Sequence, residues 1–181
     1  MLRRSSLATL FGLAASTGCS SPSTLQGVGL DTQAYPAGVI TTARVDWSQG
    51  DSRSISLHAG YNATKRDDFG EHDDESGGGP GLGVSLRKYW GENHAGWFAG
   101  GRVDLWFLEI DWEDGPASTG QTDAVVLQPT ALGGYRWKLG NSPWHLDLYG
   151  AGGAEINVST SGEDVGEGAI GLVGLALTYG F

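Results

Sequence analysis

The sequence has few cysteines, few basic residues and no long apolar run. One cysteine in 181 residues rules out an internal disulfide and a zinc site built from several cysteines. Eleven Lys and Arg against 21 Asp and Glu give a formal net charge of -10, which argues against nucleic-acid binding because such binding needs a basic patch. No apolar run reaches the roughly 20 residues of a spanning helix. A membrane-crossing form of this chain would therefore have to be a closed β-barrel, where every backbone polar group is paired.

The N-terminus has the pattern of a secretory signal peptide. Arg3 and Arg4 precede an apolar stretch at residues 7–15, and small residues follow it. A charged start, a short apolar centre and a small-residue exit are the parts of a cleaved export signal. We therefore predict a signal peptide over residues 1–18.

The single cysteine follows this signal directly. Residues 16–19, Ser-Thr-Gly-Cys, resemble a bacterial lipoprotein box, which makes Cys19 a candidate for lipidation. Cleavage after Ala15 or Ser16 by the ordinary signal peptidase is the alternative. In either case residues 19–23 form a short segment ahead of the main domain.

The rest of the chain, residues 24–181, alternates apolar and polar residues with a period of two, as β-strands with one apolar face do. The fifth segment changes phase near Phe107, so that Leu108 joins the apolar face and Glu109 and Asp111 the polar one, which predicts a bulge. We predict one all-β domain of eight strands, at residues 24–30, 38–47, 54–64, 81–90, 96–112, 124–139, 144–158 and 167–181.

The predicted connections alternate in length. Short turns are expected at residues 48–53, 91–95 and 140–143, and longer loops at 31–36, 65–80, 113–123 and 159–166. Transmembrane barrels have short periplasmic turns and longer external loops. This pattern predicts that every longer loop is external and that both ends of the domain face the periplasm.

The aromatic residues support the same orientation. Five of the seven tryptophans lie beside the short turns, on the apolar faces of their strands, and two aromatic residues of the last strand join them. Amphipathic rings gather in this way at a membrane interface. The alternative is a set of core aromatics in a soluble barrel or sandwich. The predicted interface residues are Trp47, Trp90, Trp97, Trp137, Trp144, Tyr179 and Phe181.

The last strand carries a family resemblance. Phe181, with Tyr179 two residues before it, resembles the C-terminal signal of bacterial outer-membrane barrels. Together with the architecture, the chain resembles the small barrels of the OmpA and OmpX type and the opacity-protein-like family. The resemblance implies an eight-stranded antiparallel up-and-down transmembrane β-barrel in the cell outer membrane. It also implies outer-membrane lipid and lipopolysaccharide as partners, and assembly by the barrel-assembly machinery through the C-terminal strand.

The polar faces are predicted to fill the lumen with paired charges, because isolated charges are costly in a water-poor interior. Eight strands leave room only for side chains and one small ligand. We therefore predict a structural or surface-interaction role without a cofactor. A small or gated channel, or a secreted lipid-binding barrel with the faces reversed, are the alternatives. The predicted lumen residues are Arg44, Asp46, His58, Arg87, Arg102, Asp104, Arg136, Lys138, His145, Asp147 and Glu155.

An enzyme would need a convergent site, and the sequence offers only a weak one. His145 and Asp147 share a face, as do Ser56 and His58, which is the spacing that any polar face produces. No histidine lies on a predicted lipid-facing position, where a hydrolase that modifies lipid A would need one. We predict that the chain is not an enzyme, with such a hydrolase as the alternative.

The longest predicted loop is acidic and is the main candidate surface for an extracellular ligand. Its carboxylates could bind a divalent cation, although they do not follow EF-hand spacing. A solvated, flexible acidic loop is the alternative. The weak metal candidates are Asp67, Asp68, Asp73, Asp74 and Glu75.

Overall fold

A computed structural model describes residues 23–67, 70–115 and 118–181. The predicted signal peptide, Cys19 and Asp68 lie outside these residues. The described chain forms a closed barrel of antiparallel strands in sequence order. The strands are β1 (Thr24–Tyr35), β2 (Gly38–Ser48), β3 (Arg53–Asp67), β4 (Asp74–Tyr89), β5 (Gly96–Glu113), β6 (Thr119–Lys138), β7 (Trp144–Ser161) and β8 (Gly168–Gly180).

The barrel closes between its first and last strands. β8 pairs with β1 from Gly27 opposite Gly180 to Ala34 opposite Val173, and the Phe181 N–H donates to the Gln26 carbonyl at 2.9 Å. The predicted eight-stranded antiparallel barrel is confirmed. We call the end with the β2–β3, β4–β5 and β6–β7 connections the terminal end, and the other the loop end. Within the described residues, no helix is long and apolar enough to cross a membrane.

The predicted alternation of short and long connections is wrong. Residues 31–35 belong to β1, and the chain turns into β2 at Pro36 and Ala37. Most of the predicted loop at 65–80 is also strand, since β3 runs to Asp67 and β4 begins at Asp74. The glycine-rich stretch 77–81 resembles a loop in sequence, but it pairs with β3 along its length and with β5 at several positions. The residues predicted as long loops at the loop end are therefore mostly strand, and the connections there are not longer than those at the terminal end.

Burial is inverted relative to a soluble protein. Large apolar side chains point outward and stay exposed, among them Leu82 at 64% and Val173 at 62%. Charged side chains point inward, and Arg44 is 1% exposed. Alternation along each strand thus places the apolar face outside and the polar face inside.

β5 keeps one phase along its whole length, so the predicted bulge near Phe107 is wrong. Its register with β6 is continuous from Gly96 to Glu113. Leu108 and Ile110 are buried inside, while Glu109 and Asp111 point outward. From Trp106 onward the inward-facing residues of β5 are apolar instead of charged, but inward and outward side chains keep alternating as before. Register shifts occur instead between Leu25 and Gly27 and between Val125 and Val126.

Candidate functional site

The barrel interior brings together buried charged, polar and aromatic side chains from all parts of the wall. It has a charged layer toward the terminal end and an apolar layer toward the loop end. Residues of the connections form a cap over the mouth, which is the opening of the barrel at the loop end. Each layer is built by inward-facing residues of several strands, because only alternate residues of a strand reach the lumen.

The charged layer is centred on Asp147 of β7. Its carboxylate accepts hydrogen bonds from Arg136 at 2.7 Å, from Arg87 at 2.8 Å and from Arg44 at 3.2 Å. All four side chains are fully buried or nearly so. Three cations around one anion require further carboxylates nearby, since an unpaired buried charge is strongly destabilising.

Those carboxylates come from three other strands. Arg44 donates to Asp46 at 2.9 and 2.7 Å, and Arg102 donates to Asp104 at 2.7 and 2.9 Å; each pair lies two residues apart on one strand. Asp31 of β1 accepts from Arg102 at 3.2 Å. The layer therefore balances four arginines with four aspartates: Arg44, Arg87, Arg102 and Arg136 against Asp31, Asp46, Asp104 and Asp147.

Asp31 is the member of this layer that the sequence analysis missed. It also accepts a hydrogen bond from the Tyr149 hydroxyl at 2.6 Å. The sequence carried a signal for it, because alternation continues beyond Leu30, with Thr32 and Ala34 outward and Asp31 and Gln33 inward. The first strand predicted from the sequence ends at Leu30 and therefore omits Asp31.

Aromatic rings pack against the guanidinium groups of the charged layer. The Arg87 guanidinium lies 4.9 Å from the Phe98 ring centre and 5.2 Å from that of Tyr149. The Arg136 guanidinium lies 5.0 Å from the ring centre of Tyr89. These cation–π contacts help to satisfy guanidinium groups that are removed from water.

The other predicted lumen residues lie apart from this network. His58 is buried and its Nε2 is 2.9 Å from the Ser85 hydroxyl. His145 is half-buried and Lys138 is exposed, and they pair at the terminal end of β6 and β7. Glu155 belongs to the mouth.

The weak Ser-His-Asp pattern is not assembled. Asp147 is occupied by three arginines, so its carboxylate does not orient His145. His58 contacts Ser85 and not its sequence neighbour Ser56, and it is 2% exposed. A hydrolase needs its nucleophile, base and orienting group within hydrogen-bond reach of one another and of a substrate.

The apolar layer was also missed, since the whole lumen was predicted to be polar. It fills the interior above the charged layer, where the Trp106 indole N–H donates a hydrogen bond to Gln128 Oε1 at 2.6 Å. Val165, from the β7–β8 connection, inserts into it and is 4% exposed. The layer comprises Ile40, Trp106, Leu108, Ile110, Ala124, Val126, Val165, Ile170 and Leu172.

The mouth cap begins at Glu75. Its carboxylate accepts from Arg66 at 2.9 Å and from the backbone N–H groups of Glu71 at 2.8 Å and Gly166 at 3.0 Å. Arg66 also donates to Glu155 at 2.8 Å. The cap thus ties the β3–β4 and β7–β8 connections to the barrel wall.

His72 adds the β5–β6 connection to the cap. Its ring stacks on Trp112 with centroids 4.2 Å apart at 9°. One ring nitrogen lies 2.8 Å from an Asp114 carboxylate oxygen and the other 3.0 Å from the Asp164 carbonyl. Burial alone lowers the pKa of His72, but the hydrogen bond and charge of Asp114 outweigh it and raise the pKa above its usual value.

The weak metal site finds no support in this geometry. Glu75 points into the mouth, where Arg66 and backbone N–H groups occupy it. Asp67 pairs with Lys65 on the outer wall at 3.1 Å. Across residues 23–67, 70–115 and 118–181, no three His, Cys, Asp or Glu side chains are grouped to hold a metal ion.

The predicted interface aromatics ring the terminal end of the outer surface. Trp90, Trp97 and Phe181 are more than 60% exposed, and Trp47 is half-buried. Neighbours on adjacent strands meet edge to face, with Trp144 and Tyr179 centroids 5.1 Å apart at 78°. Trp137 contacts Tyr135, which contacts Trp97.

Comparison with solved structures identifies the fold. The chain is similar to the N-terminal β-barrel domain of OprF from Pseudomonas aeruginosa, with a TM-score of 0.55, 11% identity and coverage of 87% of this chain and 97% of that one. It is also similar to Neisserial surface protein A, with a TM-score of 0.53, 11% identity and coverage of 89% and 100%. No protein-family model matches the sequence, and a search of curated proteins finds no match. The chain therefore has the fold of a small outer-membrane β-barrel.

Proposed function

We propose that the chain is an outer-membrane β-barrel protein whose lumen is closed and whose role is structural or one of surface interaction. The observation that carries this proposal is the inverted burial. Leu82 and Val173 are more than 60% exposed, whereas Arg44 and Asp147 are at most 1% exposed. In water, exposure of such a large apolar surface would be unfavourable, whereas in lipid the same arrangement is favourable.

The height of the apolar surface fits a membrane. On β5 the outward apolar residues run from Trp97 to Phe107, and Glu109 and Asp111 follow. The ten residue-to-residue steps from the first to the last of these positions, at about 3.3 Å each and tilted by about 40°, give roughly 25 Å, which is the height of the apolar band in transmembrane barrels. We propose that the loop end, with its acidic residues above this band, faces outward from the cell.

The same orientation assigns the partners. Outer-membrane lipid and lipopolysaccharide would surround the apolar band, and the acidic loop end would present the surface for an extracellular ligand. We propose that β8, with Tyr179 and Phe181, is the strand that the barrel-assembly machinery recognises. We also propose that the N-terminal signal exports the chain to this membrane, whether or not Cys19 carries a lipid.

The filled interior argues against conduction. An ion would have to cross the charged layer and then a layer of apolar side chains, where it has no polar partner and a high desolvation cost. Val165 of the β7–β8 connection further fills this layer. The charges inside also argue against a secreted lipid-binding barrel, because an apolar ligand needs an apolar cavity.

The proposal is tested with the full chain extracted from membranes and run unboiled and boiled on a detergent gel. A folded barrel in the outer-membrane fraction should migrate differently until it is boiled. The same preparation should give no steady conductance in planar bilayers. A soluble periplasmic protein without a gel shift would overturn the membrane assignment, and step-like conductance would overturn the closed lumen.

A further inference from the structure

The barrel wall is incomplete at the loop end, because its first hairpin is shorter than the strand that precedes it around the barrel. β8 begins at Gly168, but its pairing with β1 starts only at Val173, opposite Ala34. The chain turns from β1 into β2 at residues 36–37. Within the described chain, residues 168–172 of β8 therefore pair with β7 on one side and with no strand on the other. We call this gap the notch.

The free edge of β8 carries no side chain that would block pairing. Sheet edges are commonly protected by charged residues or by proline, but residues 168–172 are Gly-Ala-Ile-Gly-Leu. A row of unpaired backbone N–H and C=O groups is a template for another strand, and extended peptides bind to proteins in this way. The notch therefore offers a place for one additional strand.

A pocket of about 240 Å³ at the notch contains an unused acceptor. Its lining includes Tyr35, Arg66, Glu155 and residues 166–171. Glu155 is 8% exposed; its Oε2 accepts from Arg66 at 2.8 Å, whereas its Oε1 has no hydrogen-bond partner among the described residues. A buried carboxylate oxygen without a donor is costly. A partner that donates a hydrogen bond here would remove this cost.

The charge around the pocket selects a cationic donor. Among the described residues of this network, Arg66 is the one cation against the carboxylates of Glu75, Glu155 and Glu167, which leaves two negative charges and favours a positive group. The described chain does not group three His, Cys, Asp or Glu side chains for a metal ion, whereas an ammonium or guanidinium group needs only hydrogen-bond acceptors. The pocket therefore fits the end of a lysine or arginine side chain.

The spacing of the strands connects the free edge with the unused acceptor. Glu155 faces inward on β7 and lies opposite Gly168 of β8, so a residue of an added strand opposite Gly168 continues the same row. Two strand spacings of about 4.8 Å each put its Cα roughly 10 Å from that of Glu155, a distance that a lysine and a glutamate side chain span together. Gly168 places no side chain between them, and a Cβ built on it has no atom within 4 Å.

We propose that the notch binds an extended segment of an extracellular protein, which pairs with the free edge of β8 and directs one lysine or arginine side chain toward Glu155 Oε1. Backbone hydrogen bonds to β8 supply affinity, and the charged hydrogen bond to Glu155 supplies specificity. The partner comes from the cell exterior, because the notch is at the loop end. This proposal rests on the outward orientation of that end and adds the chemistry of the extracellular ligand.

The probe is a fluorescently labelled peptide with one lysine between two runs of three threonines. Threonine favours strands, and the identical flanks let the peptide slide until its lysine lies opposite Gly168. Its affinity for the full chain is measured by fluorescence anisotropy in nanodiscs that contain lipopolysaccharide, the lipid that the proposed orientation places around the notch. The wild-type barrel should bind it about tenfold more tightly than the same peptide with norleucine in place of lysine, which has no hydrogen bond to offer Glu155.

Two variants of the barrel locate the lysine. Glu155→Gln removes the buried negative charge and should abolish the preference for the lysine peptide over the norleucine peptide. Glu163→Gln is the matched control, because it removes the same charge from an exposed residue of the β7–β8 connection, and it should keep the preference. The comparison of the two peptides on the wild-type barrel needs neither variant to fold.

Two further probes test the added strand. A lysine capped by acetyl and amide groups carries the same ammonium without the flanking chain, so it should bind at least about tenfold more weakly than the peptide. N-methylation of every threonine removes the backbone donors that pair with β8 and should weaken the peptide to a similar level.

The outcomes separate this proposal from the membrane assignment. Absence of binding, equal binding of the lysine and norleucine peptides, or a lysine preference that survives Glu155→Gln overturns the site. Capped lysine or the N-methylated peptide binding as tightly as the parent peptide overturns the added strand. The boiled and unboiled gel of the same samples reports the membrane barrel independently, because it does not depend on any peptide.

Discussion

At the scale of single residues, the carboxylate of Asp147 holds three guanidinium groups together in the charged layer. Asp147→Asn should leave these cations with one anion too few, and removing one partner of a buried ion pair costs about 3–5 kcal/mol. The midpoint of urea unfolding in lipid vesicles should fall accordingly. Asp111→Asn, which removes an exposed carboxylate of the outer wall, should leave the midpoint unchanged. Equal midpoints for both variants would show that the network does not stabilise the barrel.

His72 makes the mouth cap dependent on pH. Its folded pKa is raised despite burial, because Asp114 bonds and attracts the charged ring. The stabilisation is therefore fully present below the unfolded pKa of about 6.5 and is lost as pH rises through the higher folded pKa. The pKa of Asp114 is lowered by the hydrogen bond from His72 and by the Asp73 N–H, so its contribution is lost only as pH falls through that lowered value.

Hydrogen exchange checks this expectation. After correction for the intrinsic pH dependence of exchange, amides at residues 70–73 and 162–166 should lose protection as the pH rises above the unfolded histidine pKa of about 6.5. His72→Gln keeps the hydrogen-bonding capacity but not the charge, so its protection should be lower at pH 6 and flat above it. A wild-type profile that is also flat would mean that the charge of His72 does not hold the cap.

At the scale of elements, β4 and β5 approach each other closely at several glycines, of which Gly81 faces the Trp106 ring. A Cβ placed on Gly81 would lie 2.1 Å from the Trp106 ring, whereas one on Gly133 of the outer face would have its nearest atom at 3.7 Å. Gly81→Ala should therefore destabilise the barrel by about 1–3 kcal/mol through overpacking. Gly133→Ala should stabilise it by up to about 1 kcal/mol, because glycine is unfavourable in a strand.

Urea unfolding of the two alanine variants measures this difference, and their far-ultraviolet circular dichroism serves as the control for an intact barrel. If Gly81→Ala is as stable as Gly133→Ala, the Trp106 ring is not packed against β4 as described.

The elements also show which parts of the fold were readable from sequence. Period-two alternation identified all eight strands, because backbone geometry alone makes successive side chains of a strand point to opposite faces. It failed on β5, where the inward residues change from Arg102 and Asp104 to Trp106 and Leu108. Once the lumen itself contains an apolar layer, hydrophobicity no longer tells the inner face from the outer one. The polar strand end at residues 31–35 and the glycine-rich strand end at residues 77–80 were predicted as loops for a different reason, because their composition is typical of loops although both belong to strands.

The candidate site was less predictable than the strands. Arg44, Asp46 and Asp147 could be placed in the lumen from their face alone, but their partners depend on the stagger of distant strands. Asp147 meets Arg44 across 103 residues of sequence, and neither residue carries a local signal of the other. The cap depends in the same way on His72 reaching both Asp114 and Asp164.

At the scale of the whole molecule, a single substitution on the outer surface can distinguish a membrane barrel from a soluble one. Val103 is 42% exposed and lies near the middle of the apolar band on β5, between Trp97 and Phe107. A charged residue facing lipid at the midplane costs about 2–4 kcal/mol, falling to about 0–1 kcal/mol near the interfaces. In a soluble barrel the same exposed position would accept arginine at almost no cost.

Val103→Arg should therefore lower the free energy of unfolding in vesicles by about 2–4 kcal/mol. Leu139→Arg makes the same exchange at a similarly exposed residue, 41%, beyond the end of β6 at the terminal edge of the band, and should cost less than about 1 kcal/mol. The difference between the two variants cancels the general effect of losing an apolar side chain, so it reports depth in the lipid. If both variants unfold at the wild-type urea concentration, the apolar surface does not face hydrocarbon, and the inverted burial would require a protein partner that covers it.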